Sequence, residues 1–437
     1  MNSEEVFNHI FESFNQRGVD YVILHSYQEL PQKIDSDIDT AIRTNDIFEA
    51  ITTLDNVLKD TEWRIIQYWQ HENYAADCVI SNDKEYLQVD FCIHYERNGR
   101  VVMDIDELLR DRRKYKNFYI PNPSCEFTYI LLKKILKKVF SERSKIQLRN
   151  LLLELNEKEI SDLKNRMEKC LKRPTVEHLI DNIINESFDE INLAEVHGEL
   201  MTVTSDFFAD LHYKVFDIKR KINRILHPTG LFIVLMGVDG AGKTTIATRL
   251  MDDYKGAFRR VKHYHSRVRV LKDISQLKKD AKPIDPSNPH SKTKQPNKLV
   301  SFLKFLYYYA DYLIGNIIIT TDTIKSSLVL MERYYYDYSI DKVRYNLNIS
   351  DAVLRLFGKL IKKPDVIFVL TGDTDVLYER KKEITRSDIE AQKDKFCKLF
   401  QDNKRVVYID TTKNSVEDCI SQMMHVCNRI MRERRKW

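Results

Sequence analysis

The chain has 437 residues, more than a single compact core usually encloses, so two or three domains are expected. Hydrophobic residues make up 43% and charged residues 31%, which excludes general disorder, and a net charge of +5 offers no global attraction for nucleic acid. The seven cysteines show neither CxxC pairing nor metal-ligand spacing, and Ser3, Glu4 and Glu5 open the chain without the basic-then-apolar order of a signal peptide; both point to a cytoplasmic protein with reduced thiols.

Val6, Phe7, Ile10, Phe11 and Phe14 recur at helical spacing, Gly18 ends that helix, and residues 21–24 read as a short strand. Further strands are expected at 64–69, 78–80 and 85–94. In the last, Leu87, Val89, Phe91 and Ile93 alternate with Gln88, Asp90 and Cys92. Asp37 and Asp39 stand two residues apart, so on a strand they share one face and can share a metal ion. Asp90 on a neighbouring strand would be a third ligand, and exposed acids on an edge strand are the plainer alternative.

Prolines 121 and 123 mark a boundary, after which residues 126–225 carry almost nothing but helical pattern, broken once at Pro174. A third segment begins at His227-Pro228-Thr229-Gly230. Residues 231–236 form an apolar run fit for a strand buried on both faces, and strand-like runs recur at 327–331, 366–370 and 406–409 between long helical patterns. That alternation predicts a doubly wound α/β domain with a parallel sheet. Between Arg267 and Lys298 four prolines and nine Lys/Arg predict a long basic loop. The apolar stretch 299–319 is interrupted by Lys304 and Asp311, which favours a buried helix over a membrane span.

Gly237-Val-Asp-Gly240-Ala241-Gly242-Lys243-Thr244 satisfies G-x-x-x-x-G-K-[ST] between an apolar strand and a helix. Gly237, Gly240, Ala241, Gly242 and Thr245 form the cradle in which backbone N–H groups and a helix N-terminus receive phosphate oxygens of ATP. Lys243 reaches the β/γ-phosphates, and the Thr244 hydroxyl ligates Mg²⁺.

The loop, with Asp239 ahead of Gly240-Ala-Gly-Lys-Thr-Thr245, resembles the thymidylate kinase branch of nucleoside monophosphate kinases. Leu328-Val-Leu-Met-Glu332-Arg333-Tyr334 is similar to that family's strand ending in an acid, arginine and tyrosine. Tyr378-Glu-Arg380-Lys-Lys-Glu-Ile-Thr-Arg386 is similar to its arginine-bearing lid, and Val406-Val-Tyr-Ile-Asp410 to its last strand. The resemblance implies that Asp239 faces the acceptor, Glu332 lies near Mg²⁺ or the acceptor, and Arg333 grips a phosphate. It also implies that Arg380 and Arg386 neutralise charge on the transferred group. A solvated helix face is the alternative for those two arginines, and a surface ion pair for Arg333. The stretch from His263 to Arg269 and the run Tyr335-Tyr336-Asp337-Tyr338 depart from the pattern of members that act on dTMP. The former, with the basic loop, suggests an anionic acceptor; a solvated loop without a ligand is the plainer reading.

Leu24-His-Ser26 followed by Asp37-Ile-Asp39 resembles the nucleotidyltransferase signature of the polymerase-β-like superfamily, with His25-Ser26 where glycine is expected. That resemblance implies a divalent-metal site for nucleotidyl transfer. The pairing of two such modules resembles proteins found among bacterial surface-polysaccharide genes, which suggests a small-molecule or glycan acceptor. The expected organisation is a nucleotidyltransferase-like α/β domain over 1–122, a helical region over 123–226 packed on it, and a P-loop kinase domain over 227–437. An ATP-dependent phosphotransferase is the leading reading; a true dTMP or nucleoside monophosphate kinase and a nucleotide-binding scaffold with little turnover are the alternatives.

Overall fold

The computed structural model describes residues 1–34, 36–97, 100–203, 207–274 and 297–434. Most of the expected basic loop, residues 275–296, therefore lies outside the described residues. The chain divides into two compact units, Met1–Asn223 and a second beginning at Arg224.

The first unit opens with α1 (Ser3–Gln16), whose N-terminus is closed by a reciprocal Asn2–Glu5 capping box and whose five predicted apolar residues are all buried. Burying such side chains stabilises on the order of 1.5–3 kcal/mol each. Strands β1 (Tyr21–Ile23) and β2 (Ile38–Ile42), helix α2 (Ile47–Leu58), then β3 (Arg64–Glu72), β4 (Ala75–Ser81) and β5 (Tyr86–Cys92) follow. They form one sheet in the order β1-β2-β5-β4-β3, in which β2 and β5 run parallel and the other neighbours antiparallel. Two short hairpins were not foreseen: β6 (Tyr95–Arg97) with β7 (Arg100–Met103), and β8 (Arg113–Tyr115) with β9 (Phe118–Ile120), on either side of α3 (Ile105–Leu109).

The boundary prolines act as a helix start. Asn122 caps α4 (Pro123–Lys137), with Pro123 in the first turn, where its missing N–H costs nothing. Helices α5 (Glu142–Glu154), α6 (Glu157–Met167), α7 (Arg173–Ile184) and α8 (Leu193–Val203) continue the unit. They share a core with Val22, Ala41 and Cys92 of the sheet, while α1 and α2 pack around Trp63 in another. Helix α9 (Phe207–Leu226) ends this stretch.

In the second unit β10 (Leu231–Gly237) is buried at every position. It leads to α10 (Lys243–Asp253), β11 (Arg260–His265), α11 (Lys298–Ile324) and β12 (Ser327–Glu332). Short helices α12 (Asp337–Ile340), α13 (Lys342–Tyr345) and α14 (Asp351–Phe357) precede β13 (Val366–Thr371). Then come α15 (Thr374–Arg380), α16 (Arg386–Leu399), β14 (Val406–Asp410) and α17 (Val416–Arg434). The sheet order is β11-β12-β10-β13-β14, with every neighbouring pair parallel. Strands are added on both sides of β10, so the crevice at their C-terminal ends opens beside it, where open α/β sheets place ligands.

Helix α11 is only half buried: Leu299, Val300, Leu303 and Ile317 face outward, whereas the interrupting Asp311 is fully buried. Asp311 accepts from Arg267 at 2.8 Å and from the Leu271 backbone at 2.7 Å, so its charge is matched rather than solvated. No helix among the described residues is long and apolar enough to cross a membrane. All seven cysteines are free thiols, six of them buried.

Candidate functional site

The loop after β10 is shaped by three glycines with positive φ: Gly237 at 141°, Gly240 at 83° and Gly242 at 79°. A Cβ at Gly237 would lie 2.3 Å from the Leu370 carbonyl, and one at Gly240 would lie 2.6 Å from that of Leu377. Only glycine fits where backbone approaches so closely. Gly242 caps α10, and Ala241 is buried beneath the loop, with Lys243, Thr244 and Thr245 forming the helix's first turn.

Lys243 Nζ donates back to the carbonyls of Gly237 at 3.0 Å and Val238 at 2.8 Å. Burial and the neighbouring Arg333 depress its ammonium to about 7, against the pull of Asp239 and Asp337. The Thr244 hydroxyl donates to Glu332 Oε2 at 2.8 Å, and His263 Nε2 lies 3.0 Å from Glu332 Oε1. Glu332 is buried at the end of β12, so both its oxygens are oriented by protein. This pair offers hydroxyl and carboxylate oxygens, the hard donors that Mg²⁺ prefers, and fits it.

Arg333 sits at φ 62°, its N–H donating to the Leu235 carbonyl at 2.8 Å. That bend turns the guanidinium between Asp337 at 2.7 Å and Asp239 at 2.5 Å. Asp239 is also paired with Arg344 and lies 3.8 Å from Lys243. Burial would raise its carboxyl, but these cations outweigh it and hold it at about 2. Arg344 reaches Asp341 at 3.3 Å and comes within 3.9 Å of Glu383, which pairs with Lys381 at 3.0 Å. The structure thus brings Asp239, Lys243, Thr244, Glu332 and Arg333 together.

The two lid arginines are placed differently. Arg380 donates to the Thr411 carbonyl at 3.0 Å, tying α15 to the loop after β14. Arg386 is half exposed, paired with Asp375 at 2.5 Å and Glu379 at 3.3 Å, and lies over the Tyr378 ring. In the segment from His263 to Arg269, Arg267 is buried and committed to Asp311 and Asp273. Arg267 is therefore a structural cation, leaving His265 and Arg269 exposed there.

In the first unit Asp37, Asp39 and Asp90 lie with carboxylate oxygens within 4.8 Å of one another. The parallel register sets Asp39 opposite Asp90, and the next strand sets Asp77 opposite Asp90, so three acids form a row across three strands. Burial, reinforced by the charges of Asp77, Asp39 and Asp37, pushes the Asp90 carboxyl up to about 10. Asp39 behaves in the opposite way. Its burial is outweighed by His25, 2.5 Å away, and Lys133, 3.0 Å away, which hold its carboxyl below the usual range. Lys133 Nζ also lies 2.7 Å from His25 Nε2. The carboxylate set is chemically suited to a hard divalent ion, and Lys133 already supplies one positive charge to it. Ser26 takes φ 59°, so the turn adopts a glycine-like backbone without glycine. A cavity of about 170 Å³ beside the acids is lined by His25, Ser26, Lys33, Asp37 and Arg143 among others.

Lys133, the contact of His263 with Glu332 and the pairing of Arg344 with Asp239 went unread in the sequence. Lys133 carried one usable signal, standing four residues after Tyr129 and hence on its face of α4.

No protein-family model and no curated protein matches the chain. Among solved structures, thymidylate kinase from Candida albicans is similar over 46% of this chain and 93% of its own, at 16% identity and a TM-score of 0.35. Thymidylate kinase from Ehrlichia chaffeensis is similar over 46% of this chain and 99% of its own, at 18% identity and a TM-score of 0.32.

Proposed function

We propose that the second unit is an ATP-dependent phosphotransferase acting on an anionic or sugar-containing acceptor other than simple dTMP. The observation that carries this reading is the convergence of Lys243, Thr244–Glu332 and Asp239–Arg333 at the C-terminal ends of β10 and β12. Gly240, Gly242 and the start of α10 present backbone N–H groups to the ATP phosphates. Lys243, released from the loop carbonyls, would hold the β/γ-phosphates, and Arg333 would hold the acceptor's phosphate or the transferred group. Thr244 and Glu332 would hold Mg²⁺, which when bound neutralises charge on the phosphate oxygens. Asp239 orients Arg333 and would face the acceptor. Arg380 and Arg386, at the end of α15 and the start of α16, would neutralise charge on the transferred group. The test is incubation of the purified chain with γ-labelled ATP and a panel of nucleotides, nucleotide sugars and glycans, with product identified by mass spectrometry. Transfer to dTMP above all others would favour the nucleoside monophosphate kinase alternative, and ATP binding with no transfer would favour the scaffold alternative.

For the first unit we propose divalent-ion and nucleotide binding at Asp37, Asp39 and Asp90, as the polymerase-β-like resemblance implies. The clustering of three carboxylates within 4.8 Å favours it. Calorimetry with Mg²⁺ or Mn²⁺ and a nucleoside triphosphate tests it, and an absence of heat from Mn²⁺ would remove the metal site.

A further inference from the structure

Helix α9 is turned inside out. A surface helix normally buries its apolar stripe and shows its charges to solvent. Here Leu211, Val215, Ile218 and Ile222 are 52%, 61%, 58% and 52% exposed. Asp217 and Arg220, by contrast, are only 20% and 18% exposed and paired with each other. Tyr213, on the same inward side, donates to Glu72 of β3 at 3.0 Å. The helix is therefore tied to its own unit through a polar face, and its aliphatic face is left outward.

The spacing of the outward residues is 4, 3, 4, the alternation of a coiled-coil seam, with β-branched Val215 and Ile222 at equivalent positions. Lys214 and Lys219 line the two edges of that seam and are exposed, while Lys221 is already paired with Asp217 at 2.6 Å. We propose that this face of α9 is a docking site for an amphipathic helix of another protein, carrying an aliphatic seam flanked by Asp or Glu. Charge selects this occupant. A second copy of the chain would set lysine against lysine along the seam in either direction, whereas acidic flanks would pair with Lys214 and Lys219.

The test uses the full chain and two labelled synthetic three-heptad peptides, each with Ile and Leu at its seam, one flanked by Glu and the other by Lys. Fluorescence anisotropy should show the Glu peptide binding about tenfold or more tightly than its Lys twin, with affinity falling as salt rises. Val215→Asp with Ile218→Asp should abolish binding. Lys214→Glu with Lys219→Glu should reverse the preference between the peptides. All these positions are exposed, so the melting temperature of either variant should match the parent. Should the seam variant misfold, the charge-reversal variant alone decides the matter. Equal affinity for both peptides, or no binding of either, overturns the proposal. So does dimerisation in sedimentation that Ile218→Asp abolishes, or binding to phosphatidylcholine–phosphatidylglycerol vesicles in preference to the Glu peptide.

Discussion

The two candidate sites solve different charge problems. Around the P-loop, cations and acids are interleaved: Arg333 lies between Asp239 and Asp337, Arg344 between Asp239 and Asp341, and Lys243 lies 3.8 Å from Asp239. In the first unit the acids lead: Asp37, Asp39, Asp77 and Asp90 gather around Lys133 and His25. The former balances its cations against protein acids, whereas the latter gathers more acids than the cations beside them. Each contains a buried group whose ordinary charge is disfavoured, Lys243 in one and Asp90 in the other, and each is the group an oppositely charged ligand would relieve.

The strongest challenge to this contrast is Lys243→Ala. Phosphoryl transfer should fall about 10²–10³-fold, as for loss of a group aimed at developing charge. Metal titration of the first unit should be unaffected. Near-parental turnover in a radiometric assay would remove the P-loop site from the comparison.

A second effect separates the units by pH. Glu126, buried in α4, accepts from Tyr27 at 2.9 Å and Gln147 at 3.0 Å, and burial raises its carboxyl from 4.5 to about 7. Between those values the native state holds a proton that the unfolded chain releases, so its contribution is full below about pH 4.5 and is lost as pH rises through 7. Glu126→Gln should therefore stabilise the first unit at pH 8, by about 2–3 kcal/mol at most, and flatten its dependence between pH 5 and 8. Urea unfolding followed by the fluorescence of Trp63 and Trp69 reports it, since both lie in that unit. An unchanged midpoint at pH 8 would show that Glu126 is ionised at no cost.

The acids of the first unit should not be equivalent. Asp39→Asn removes the partner of Lys133 and His25 and should cost about 1–3 kcal/mol in metal-free buffer. Asp37→Asn, at an exposed position, should leave the melting temperature unchanged or slightly higher while weakening Mn²⁺ binding. Equal melting of both variants would mean that Lys133 contributes nothing to Asp39.

The smallest effect sharpens the P-loop side. His263 lies against one oxygen of Glu332 while Thr244 donates to the other. His263→Ala should lower kcat about tenfold with little change in KM for ATP, and His263→Gln should recover part of it. A loss confined to KM would assign His263 to binding instead.

What the sequence made readable was contiguous. The P-loop sits on consecutive residues between an apolar strand and a helix, and Glu332–Arg333 ends an apolar run, so local pattern sufficed. The α1 stripe and the β5 alternation emerged for the same reason. Strand β11 was missed because Arg260-Val-Lys-His-Tyr-His has one aliphatic residue among polar ones; it is an edge strand, half exposed, and burial imposes no alternation there. Arg344 pairs with Asp239 across 105 positions, and Lys133 with Asp39 across 94, distances at which only folding reveals partners. Asp311 was read as a mark against a membrane span, whereas its partner, Arg267, explains why a helix carries a buried charge.

The contacts at Gly237 and Gly240 bear on how such chains diverge. Both glycines are demanded by neighbouring carbonyls, of Leu370 on β13 and Leu377 on α15, rather than by any phosphate. A relative without the proposed phosphoryl transfer would still be selected to keep them, because a methyl group at either position would collide with backbone. Lys243 and Thr244 carry no such packing obligation. Among diverged copies of this chain, a lineage retaining both glycines but varying at 243 and 244 would mark the loop as architecture inherited from an enzyme.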